Sequence, residues 1–456
     1  MNRIASRAFI VFILVIGLVS GMIFFGVEYA YHAESWVLKP GSPHVYDGDR
    51  LGVGVITDRT GKILLDLTDE GRQYSNLVSL RRSSVHWVGD REGNIPSTLT
   101  THYAAEMAGY SPLTGTYQYA DSSGQMVLSI HGDIQNAALE AMQDKKGTVA
   151  VYNYKTGEIL CAVTTPNFDP DDVPDIAGDT TGAYEGVYVN RFMRSKYIPG
   201  SIFKIVTLAA ALESIPDIAE QTFSCAGQLE LTGGKVTCER IHGEQTLKEA
   251  FCNSCNCAFA QITLQIGRDS MEHYVQKFGL EDVIKFDGMQ TTAGNYDIAG
   301  ASDQQFAWSG IGQYTDQVNP CNYMRFVGAV ANDGKVTDPY LVSKIVLGGT
   351  HTYDASSNYG DRIMSSETAA VIREYMQNNV NNKYGAGNFP ELTVCAKSGT
   401  GEVGGEKRPN AMFTGFVAEP DLPLAFIVCV EDGGYGASVC VPILSKVLEA
   451  CKVAYK

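Results

Sequence analysis

The expected fold is decided by one stretch of the sequence, Pro199-Gly-Ser-Ile-Phe-Lys-Ile-Val-Thr-Leu-Ala-Ala-Ala-Leu212. From Ile202 to Leu212 the only charged residue is Lys204, and a helix that is apolar on nearly every face lies inside a protein core. Ser201 lies in the first turn, where the positive end of the helix dipole stabilises a nearby anion. Lys204 returns to the same face, and burial lowers a lysine pKa, so the pair is typical of a serine nucleophile with an amine base. The alternative is an N-cap serine with a lysine that extends to solvent.

Two further motifs follow that serine, one between helices and one on a strand. Ser254-Cys-Asn256 lies between two helical stretches, a position that can direct two polar side chains into a cleft. Lys397-Ser-Gly-Thr400 ends an apolar strand, and alternation along a strand places Lys397 and Gly399 on one face. We expect Gly399 to leave room for an extended peptide substrate along the strand edge. Each motif alone also fits a structural role, as a helix N-cap pair or an edge-strand lysine.

The order and spacing of the three motifs resemble those of the penicillin-binding transpeptidases, most closely the membrane-anchored class B type. The resemblance covers about residues 129–456. It implies an α/β (α+β) architecture, the serine β-lactamase-like transpeptidase fold, with an antiparallel sheet flanked by helices. The catalytic residues that it implies are Ser201, Lys204, Ser254, Asn256 and Lys397. The substrate-binding residues that it implies are Ser398, Gly399 and Thr400. It also implies an oxyanion hole formed by the backbone N–H groups of Ser201 and Thr400.

The resemblance also implies a role for the second and third motifs. In the family, the serine that matches Ser254 relays a proton with the lysine, and the asparagine that matches Asn256 binds the amide carbonyl of the substrate. Lys397 and the hydroxyl groups of Ser398 and Thr400 are expected to orient the terminal carboxylate of the substrate.

Strand patterns lie at both ends of this domain, around a helical middle. Apolar or alternating runs predict strands at 148–152, 158–163, 392–397, 411–418 and 424–430. Helical spacing predicts helices at 133–142 and 441–453. Lys155-Thr-Gly157 joins the first two strands, so it is predicted to be a hairpin turn and not a catalytic lysine. This arrangement predicts an antiparallel sheet with helices on its faces.

The N-terminal region predicts a membrane anchor. Ala8 to Val27 carries no charge and is long enough to cross a bilayer as a helix. Arg3 and Arg7 precede it and Glu28 and Glu34 follow it, so the positive-inside rule predicts a cytoplasmic N-terminus and an extracellular catalytic domain in a single-pass protein of the cell membrane. A cleaved signal peptide is the alternative, although its apolar region is usually shorter. The expected divisions are a cytoplasmic tail at 1–7, a transmembrane anchor at 8–28, an N-terminal pedestal or dimerisation-like module at 29–130 and a penicillin-binding transpeptidase domain at 131–456.

Two shorter stretches resemble the family more loosely. Asp58-Arg59-Thr60-Gly61 is a turn signal between two short strands, and a similar stretch opens the N-terminal pedestal of class B enzymes. Ile311-Gly-Gln-Tyr-Thr315 resembles a family loop that usually reads Gly-Gln-Gly. Here Tyr314 replaces the last glycine.

Charge and cysteine content limit the expected partners. The 456 residues carry a net charge of −16, which repels nucleic acid. The eleven cysteines are an odd number, so at least one thiol is free or paired with another chain. Cys225 and Cys238 flank a hairpin-like segment, and we expect a disulfide between them in an oxidising compartment. Cys252, Cys255 and Cys257 have no following histidine pair at finger spacing, so no metal is expected, and the reaction needs no organic cofactor.

These features predict an enzyme of cell-wall synthesis. The resemblance implies a D,D-transpeptidase that cross-links peptidoglycan stem peptides through a Ser201 acyl-enzyme, uses a D-Ala-D-Ala donor and is acylated by β-lactams. It also implies a SEDS-type glycosyltransferase as partner, which we expect to contact the anchor and residues 38–129.

Three alternatives to the transpeptidase stay open at this stage. A D,D-carboxypeptidase of the same fold is poorly distinguished by sequence. A class A β-lactamase is disfavoured, because no Glu-x-x-x-Asn pattern is placed convincingly between the second and third motifs. The non-enzymatic alternative is a β-lactam sensor or an inactive scaffold. The short segment before the anchor and the intact Ser201, Lys204 and Lys397 argue against it.

Overall fold

The chain begins with one long helix, Asn2–Val37, in the computed structural model. The structure describes residues 2–37, 46–47, 50–51, 54–68, 71–103, 107, 110–111, 116–117, 124–347, 350–405 and 407–455. The span Ile4–Tyr31 contains an 18-residue window with a mean hydropathy of 2.9, and no other part of the described chain buries that window. The helix continues past the predicted anchor because no glycine or proline stands between Val27 and Val37. The chain therefore carries one N-terminal apolar helix long enough to anchor it in a membrane.

Five antiparallel strands form the central sheet, and each overlaps one of the five predicted strands. Their order across the sheet is Ile159–Thr165, Gly147–Asn153, Leu424–Val430, Asn410–Val417 and Val394–Gly401. The turn Lys155-Thr-Gly157 joins two of these strands as predicted, and Lys155 Nζ lies 2.7 Å from Asn332 Oδ1. The expected antiparallel sheet is therefore confirmed.

The central sheet is buried on both faces because alternate side chains enter different core clusters. Val149 and Val151 belong to the cluster that includes Leu444 of the C-terminal helix. Ala150 and Tyr152 belong to the cluster that holds the apolar residues of the helix after Ser201. The α-helices of four or more residues that follow the anchor in the described chain are Val78–Val88, Leu99–His102, Gly132–Met142, Arg191–Arg194, Lys204–Ser214, Leu247–Asn253, Asn256–Ile266, Arg268–Lys277, Asp303–Ser309, Pro320–Ala331, Ser366–Asn379 and Gly436–Ala454.

A second sheet combines strands from both predicted modules. Its order is Thr350–Asp354, Val342–Leu347, Gly124–Leu128, Gly54–Thr57, Ile63–Thr68 and Gly71–Tyr74. A hairpin from the predicted 131–456 domain therefore completes the sheet of the predicted 29–130 module. Residues 29–37, the expected start of that module, belong to helix Asn2–Val37, and residues 38–45 lie outside the described residues. The boundary at residue 130 stays a prediction, and strand pairing crosses it.

Smaller strand pairs complete the described fold. They are Tyr46–Asp47 with Arg50–Leu51, Tyr110–Ser111 with Thr116–Tyr117, Thr222–Cys225 with Gly243–Thr246, Gln228–Leu231 with Gly234–Thr237, Lys285–Phe286 with Met289–Gln290, and Lys335–Thr337 with Tyr359–Arg362. The two pairs between 222 and 246 lie next to the second motif in the chain.

The predicted turn at Asp58 connects the second sheet to helix Gly132–Met142. Asp58 is fully buried, and its Oδ1 accepts hydrogen bonds of 2.8 Å from the backbone N–H groups of Thr60 and Lys62. Its Oδ2 accepts a third, also of 2.8 Å, from the N–H of Gly132 at the start of helix Gly132–Met142. A buried carboxylate satisfied by backbone donors thus holds the turn against the start of that helix.

Candidate active site

Ser201 lies in a short 3₁₀ turn, Gly200–Ile202, directly before helix Lys204–Ser214. The sequence placed Ser201 inside the first turn of the α-helix, so the start of that helix was predicted three residues too early. Gly200 has φ +53°, and a Cβ there would lie 2.2 Å from the carbonyl oxygen of Thr400. Only glycine permits this close approach, which places the serine turn against the third motif.

Lys204 connects the first and second motifs although its side chain is fully buried. Its Nζ lies 3.1 Å from Ser201 Oγ. The same amine lies 2.6 Å from the carbonyl oxygen of Ser254 and 2.7 Å from Asn256 Oδ1. Burial is the main cause that lowers the pKa of Lys204 to about 7. A substantial fraction of this amine is therefore neutral near neutral pH.

Ser254 lies at the join of two helices, as expected, and its hydroxyl lies between two lysines. It follows helix Leu247–Asn253 in the left-handed conformation, with φ 54°, and Asn256 begins the next helix. Ser254 Oγ lies 3.3 Å from Lys204 Nζ and 3.0 Å from Lys397 Nζ. This hydroxyl can therefore exchange protons with either amine.

The third motif lies at the end of its strand, as predicted, but the strand continues past Lys397. The strand runs from Val394 to Gly401, because Ser398 to Gly401 continue the pairing with Asn410–Val417. Lys397 is fully buried, and burial first, then the nearby charge of Lys204, holds its pKa well below the usual lysine value. Its Nζ also donates to the carbonyl oxygen of Ser398 at 2.9 Å.

Gly399 has a different structural role from the one predicted from the sequence. We expected it to clear space for a peptide substrate. A Cβ at Gly399 would instead lie 2.4 Å from the carbonyl oxygen of Pro199 and 3.1 Å from the backbone nitrogen of Ile202. The missing side chain therefore lets the strand pack directly against the turn that carries Ser201.

Ser398 and Thr400 lie on the strand face opposite Lys397, and both have polar neighbours that the sequence did not reveal. Ser398 Oγ lies 3.0 Å from the hydroxyl of Tyr384, which also accepts the Ser398 backbone N–H at 2.9 Å. Gln313 Nε2 donates to the carbonyl oxygen of Thr400 at 3.2 Å. Tyr384 and Gln313 thus orient the third motif from two sides. Gln313 belongs to the loop whose family resemblance was the available signal, whereas Tyr384 had none.

Tyr314 occupies the position where the family loop usually has glycine. Its φ is +73°, a left-handed conformation that costs a non-glycine residue about 1–2 kcal/mol. The ring is 40% exposed, so burial of the aromatic surface does not fully offset this strain. Tyr314 directly follows Gln313, which contacts the third motif.

The predicted disulfide between Cys225 and Cys238 is not formed, since both residues are free thiols. The segment between them does form the expected hairpin. The two Sγ atoms each lie 3.5 Å from His242 Nδ1, and Cys238 Sγ lies 3.8 Å from Cys255 Sγ. We call Cys225, Cys238, His242 and Cys255 the cysteine cluster. Their side chains are placed to hold a metal ion, which the sequence reasoning excluded.

The comparisons with known proteins agree with this geometry. Residues 147–449 match the family described as the penicillin binding protein transpeptidase domain. The chain belongs to this family. It is 30% identical over 341 residues to the peptidoglycan D,D-transpeptidase PbpA of Mycolicibacterium smegmatis, and the match covers 68% of each protein. It is 28% identical over 345 residues to stage V sporulation protein D of Bacillus subtilis, covering 72% of this chain and 52% of that relative.

Solved structures of penicillin-binding proteins share the fold. The ceftriaxone acyl-enzyme complex of penicillin-binding protein A from Mycobacterium tuberculosis superposes with a TM-score of 0.75 at 23% identity, covering 90% of this chain and 99% of that one. A D,D-transpeptidase domain from Eggerthella lenta gives a TM-score of 0.76 at 25% identity, covering 88% and 98%. The expected penicillin-binding transpeptidase fold is therefore confirmed.

Replacing Gly399 by alanine tests the close packing of the third motif on the serine turn. We expect Gly399→Ala to lower the melting temperature by an amount equivalent to about 1–3 kcal/mol, because the new methyl group meets backbone atoms that cannot rotate away. Gly387→Ala is the control, because a Cβ there has no neighbour within 4 Å. Thermal unfolding followed by circular dichroism measures both. Equal melting temperatures for the two variants would contradict this packing role.

Proposed function

We propose that Ser201 is the nucleophile of a peptidoglycan D,D-transpeptidase and that Lys204 is its general base. One observation supports this most strongly. A neutral lysine amine has two N–H donors and one lone pair, and the two shortest contacts of Lys204 are to the acceptors Ser254 O and Asn256 Oδ1. These two acceptors take both donors, so the lone pair is left for the hydroxyl of Ser201 at 3.1 Å.

The first half-reaction is acylation. Ser201 Oγ attacks the carbonyl carbon between the two terminal D-alanines of a stem peptide, and Lys204 accepts the hydroxyl proton. The backbone N–H groups of Ser201 and Thr400 donate to the oxyanion, each such donor contributing about 3 kcal/mol. The C–N bond breaks when the leaving amine receives a proton through Ser254, whose hydroxyl lies between both lysines. The product is a Ser201 ester, and the last D-alanine departs.

The second half-reaction forms the cross-link. An amine from a neighbouring stem peptide attacks the ester carbonyl and loses its proton to Lys204, which returns the proton to Ser201 Oγ as the C–O bond breaks. Lys397, Ser398 and Thr400 are proposed to bind the terminal carboxylate of the donor before acylation. The main chain of Thr400 lies against Gly200, and this contact places the third motif beside the serine turn, which supports the role. Asn256 is proposed to bind the amide carbonyl of the substrate through its side-chain amide group.

A β-lactamase of the same fold requires a carboxylate that activates the deacylating water. In the part of the chain that the structure describes, the hydrogen bonds of Ser201 and Lys204 involve no Asp or Glu. This observation favours a long-lived acyl-enzyme over rapid hydrolysis. A D,D-carboxypeptidase differs only in using water as acceptor, and product analysis distinguishes it.

The acyl-enzyme is tested by intact mass after incubation with benzylpenicillin. We expect wild type and Ser366→Ala to gain the mass of one benzylpenicillin, and Ser201→Ala to gain none, because it lacks the attacking oxygen. A second incubation with a pentapeptide donor and an amine acceptor measures the products. A cross-linked dimer supports transpeptidation, release of D-alanine without a dimer indicates a carboxypeptidase, and consumed drug without an adduct indicates a β-lactamase.

The pH dependence of acylation tests the role of Lys204. Because protonation removes its lone pair, the acylation rate should rise as pH increases through about 7 and fall about tenfold per pH unit well below that value. Lys204→Arg should lose acylation at every pH, since a guanidinium stays protonated. The exposed Lys446→Arg is the control. A wild-type rate that stays flat over about two pH units on either side of 7 would argue against a titrating base.

The N-terminal helix is proposed to be a membrane anchor with a cytoplasmic N-terminus, which places the active site on the outer face. A SEDS-type glycosyltransferase is the proposed partner, in line with the class B resemblance, and the exposed apolar side chains between Ile4 and Tyr31 are the proposed contact within the membrane. Exchange of this helix for an unrelated transmembrane helix should weaken co-purification with the glycosyltransferase while leaving benzylpenicillin binding unchanged. If co-purification with the glycosyltransferase were undiminished, the helix would not be part of the contact.

A further inference from the structure

A third lysine, Lys383, lies at the edge of the second and third motifs. We propose that Lys383 binds a carboxylate of the donor stem peptide, carried by the residue directly before the terminal D-Ala-D-Ala. This role rests on the proposed transpeptidase function and adds a substrate class to it, namely stem peptides whose third residue carries a free carboxylate.

One turn of the chain connects Lys383 to both motifs. Lys383 and Tyr384 belong to the π-helical turn Val380–Tyr384. Such turns are rare in proteins and are frequent at functional sites. The hydroxyl of Tyr384 lies 3.0 Å from Ser398 Oγ in the third motif. Lys383 Nζ lies 3.5 Å from the carbonyl oxygen of Asn253, the residue directly before the second motif.

The two catalytic lysines are placed differently from Lys383. Lys204 and Lys397 are fully buried, and Lys397 Nζ is held at 3.0 Å from Ser254 Oγ and at 2.9 Å from the carbonyl oxygen of Ser398. Burial lowers the pKa of both amines, which reduces the positive charge that they carry near neutral pH. Lys383 is an exposed residue, so a bound peptide can reach its side chain.

Lys383 has no carboxylate partner among the described residues. Its contact with Asn253 O, at 3.5 Å, is at the long limit of a hydrogen bond, so the donors of the amine are left for a ligand. Arg240 Nη2 lies 3.5 Å from Asn253 Oδ1 and has no carboxylate partner in that part of the chain either. Two cations therefore lie around one asparagine without a counter-ion.

A bound carboxylate would reduce the cost of this arrangement. Partial burial of the amine, as the largest cause, and the charge of Arg240 lower the pKa of Lys383, while the charge of Glu239 opposes them without forming an ion pair. An anion beside the amine favours its charged form. A lysine ammonium is a compact charge with three donors, which suits a carboxylate whose orientation is not fixed by a second group.

The position of Lys383 selects which carboxylate of the donor it meets. The terminal carboxylate of the donor is proposed to lie at the third motif, and Asn256 is proposed to bind an amide carbonyl of the substrate. The peptide that leads to the reacting amide therefore passes the second motif, where Lys383 Nζ lies beside Asn253. A carboxylate on the residue before D-Ala-D-Ala comes within reach of the amine there.

A purely structural role for Lys383 is the alternative. Helix Leu247–Asn253 ends at the carbonyl group that Lys383 approaches, and the negative end of a helix attracts a cation. The two roles have different consequences. Loss of a structural lysine lowers the melting temperature and leaves the choice between substrates unchanged, whereas loss of a substrate-binding lysine changes that choice.

Equilibrium binding to full-length Ser201→Ala protein in detergent tests the proposal, because this variant binds a donor without being acylated. The probes are two fluorescent peptides that end in Glu-D-Ala-D-Ala or Gln-D-Ala-D-Ala and differ by one charge, and fluorescence anisotropy measures their Kd values. We expect the glutamate peptide to bind about three- to fivefold more tightly, as for an exposed ion pair. Added salt at about 0.5 M should reduce this preference, because it screens exposed charges.

Variants of Lys383 in the Ser201→Ala protein show whether this amine is responsible. Lys383→Ala should bind both peptides equally while its affinity for the glutamine peptide stays unchanged, which also shows that the variant is folded. Lys383→Glu should reverse the preference, and Lys383→Arg should keep it. Lys285→Glu is the matched control, because it makes the same charge change at another exposed lysine, and it should keep the preference.

Two outcomes would overturn the proposal. One is equal affinity for the two peptides when Lys383 is present, and the other is a preference that survives in Lys383→Ala. Binding by Ser201→Ala does not depend on acylation, so the two proposals fail separately. A wild type that benzylpenicillin acylates, together with a Ser201→Ala protein that has no preference, would count against Lys383 alone. A preference in Ser201→Ala without acylation of the wild type would count against the proposed function alone.

Discussion

The buried amine of Lys204 is the contact on which the rest of the site depends. A lysine without any exposed surface is tolerated only where its hydrogen bonds are satisfied, because an unsatisfied buried amine is costly. Ser254 and Asn256 supply the two short contacts that satisfy it. The need to satisfy one side chain therefore sets the position of a turn about 50 residues further along the chain relative to Ser201.

Backbone contacts, and not side-chain packing, fix the position of the serine turn relative to the segments around Gly312 and Thr400. A Cβ at Gly312 would lie 2.1 Å from Gly200 O, and a Cβ at Gly200 would lie 2.2 Å from Thr400 O. Together with Gly399, these residues let three segments of main chain stack on one another. Main chain cannot change rotamer, so this stack holds the oxygen of Ser201 more firmly than side chains could.

The sequence predicted those parts of the structure that depend on local pattern. The five strands of the central sheet follow from local apolar patterns, which any short window reveals, whereas the three motifs were recognised by their resemblance to a known family. The sequence did not predict that hairpin 342–354 joins the second sheet. Its pairing with Gly124–Leu128 joins residues more than 200 positions apart in the chain, and no short stretch of sequence shows such a contact. Tyr384 was missed for the same reason, since only folding brings its hydroxyl to Ser398.

The cysteine cluster shows how a rule based on spacing can fail. The sequence reasoning looked for a histidine pair after a cysteine pair, and the chain offers one histidine between cysteines of two different elements. The four groups converge only because strand Thr222–Cys225 pairs with Gly243–Thr246, which returns His242 to Cys225. Ligand sets of this kind become visible once strand pairing is known, and the cysteine count alone does not distinguish them from disulfides.

Asn256 joins the cysteine cluster to the catalytic residues. Its backbone N–H contacts Cys238 Sγ, its Oδ1 accepts from Lys204, and its Nδ2 donates to Thr237. Ser254, two residues earlier, has a positive φ that costs about 1 kcal/mol or more and persists only where the surroundings enforce it. Lys204 holds Ser254 in this conformation from one side, and the hairpin that ends at Thr237 holds it from the other. The contacts of Asn256 with Cys238 and Thr237 therefore stabilise the conformation in which the hydroxyl of Ser254 lies between the two amines.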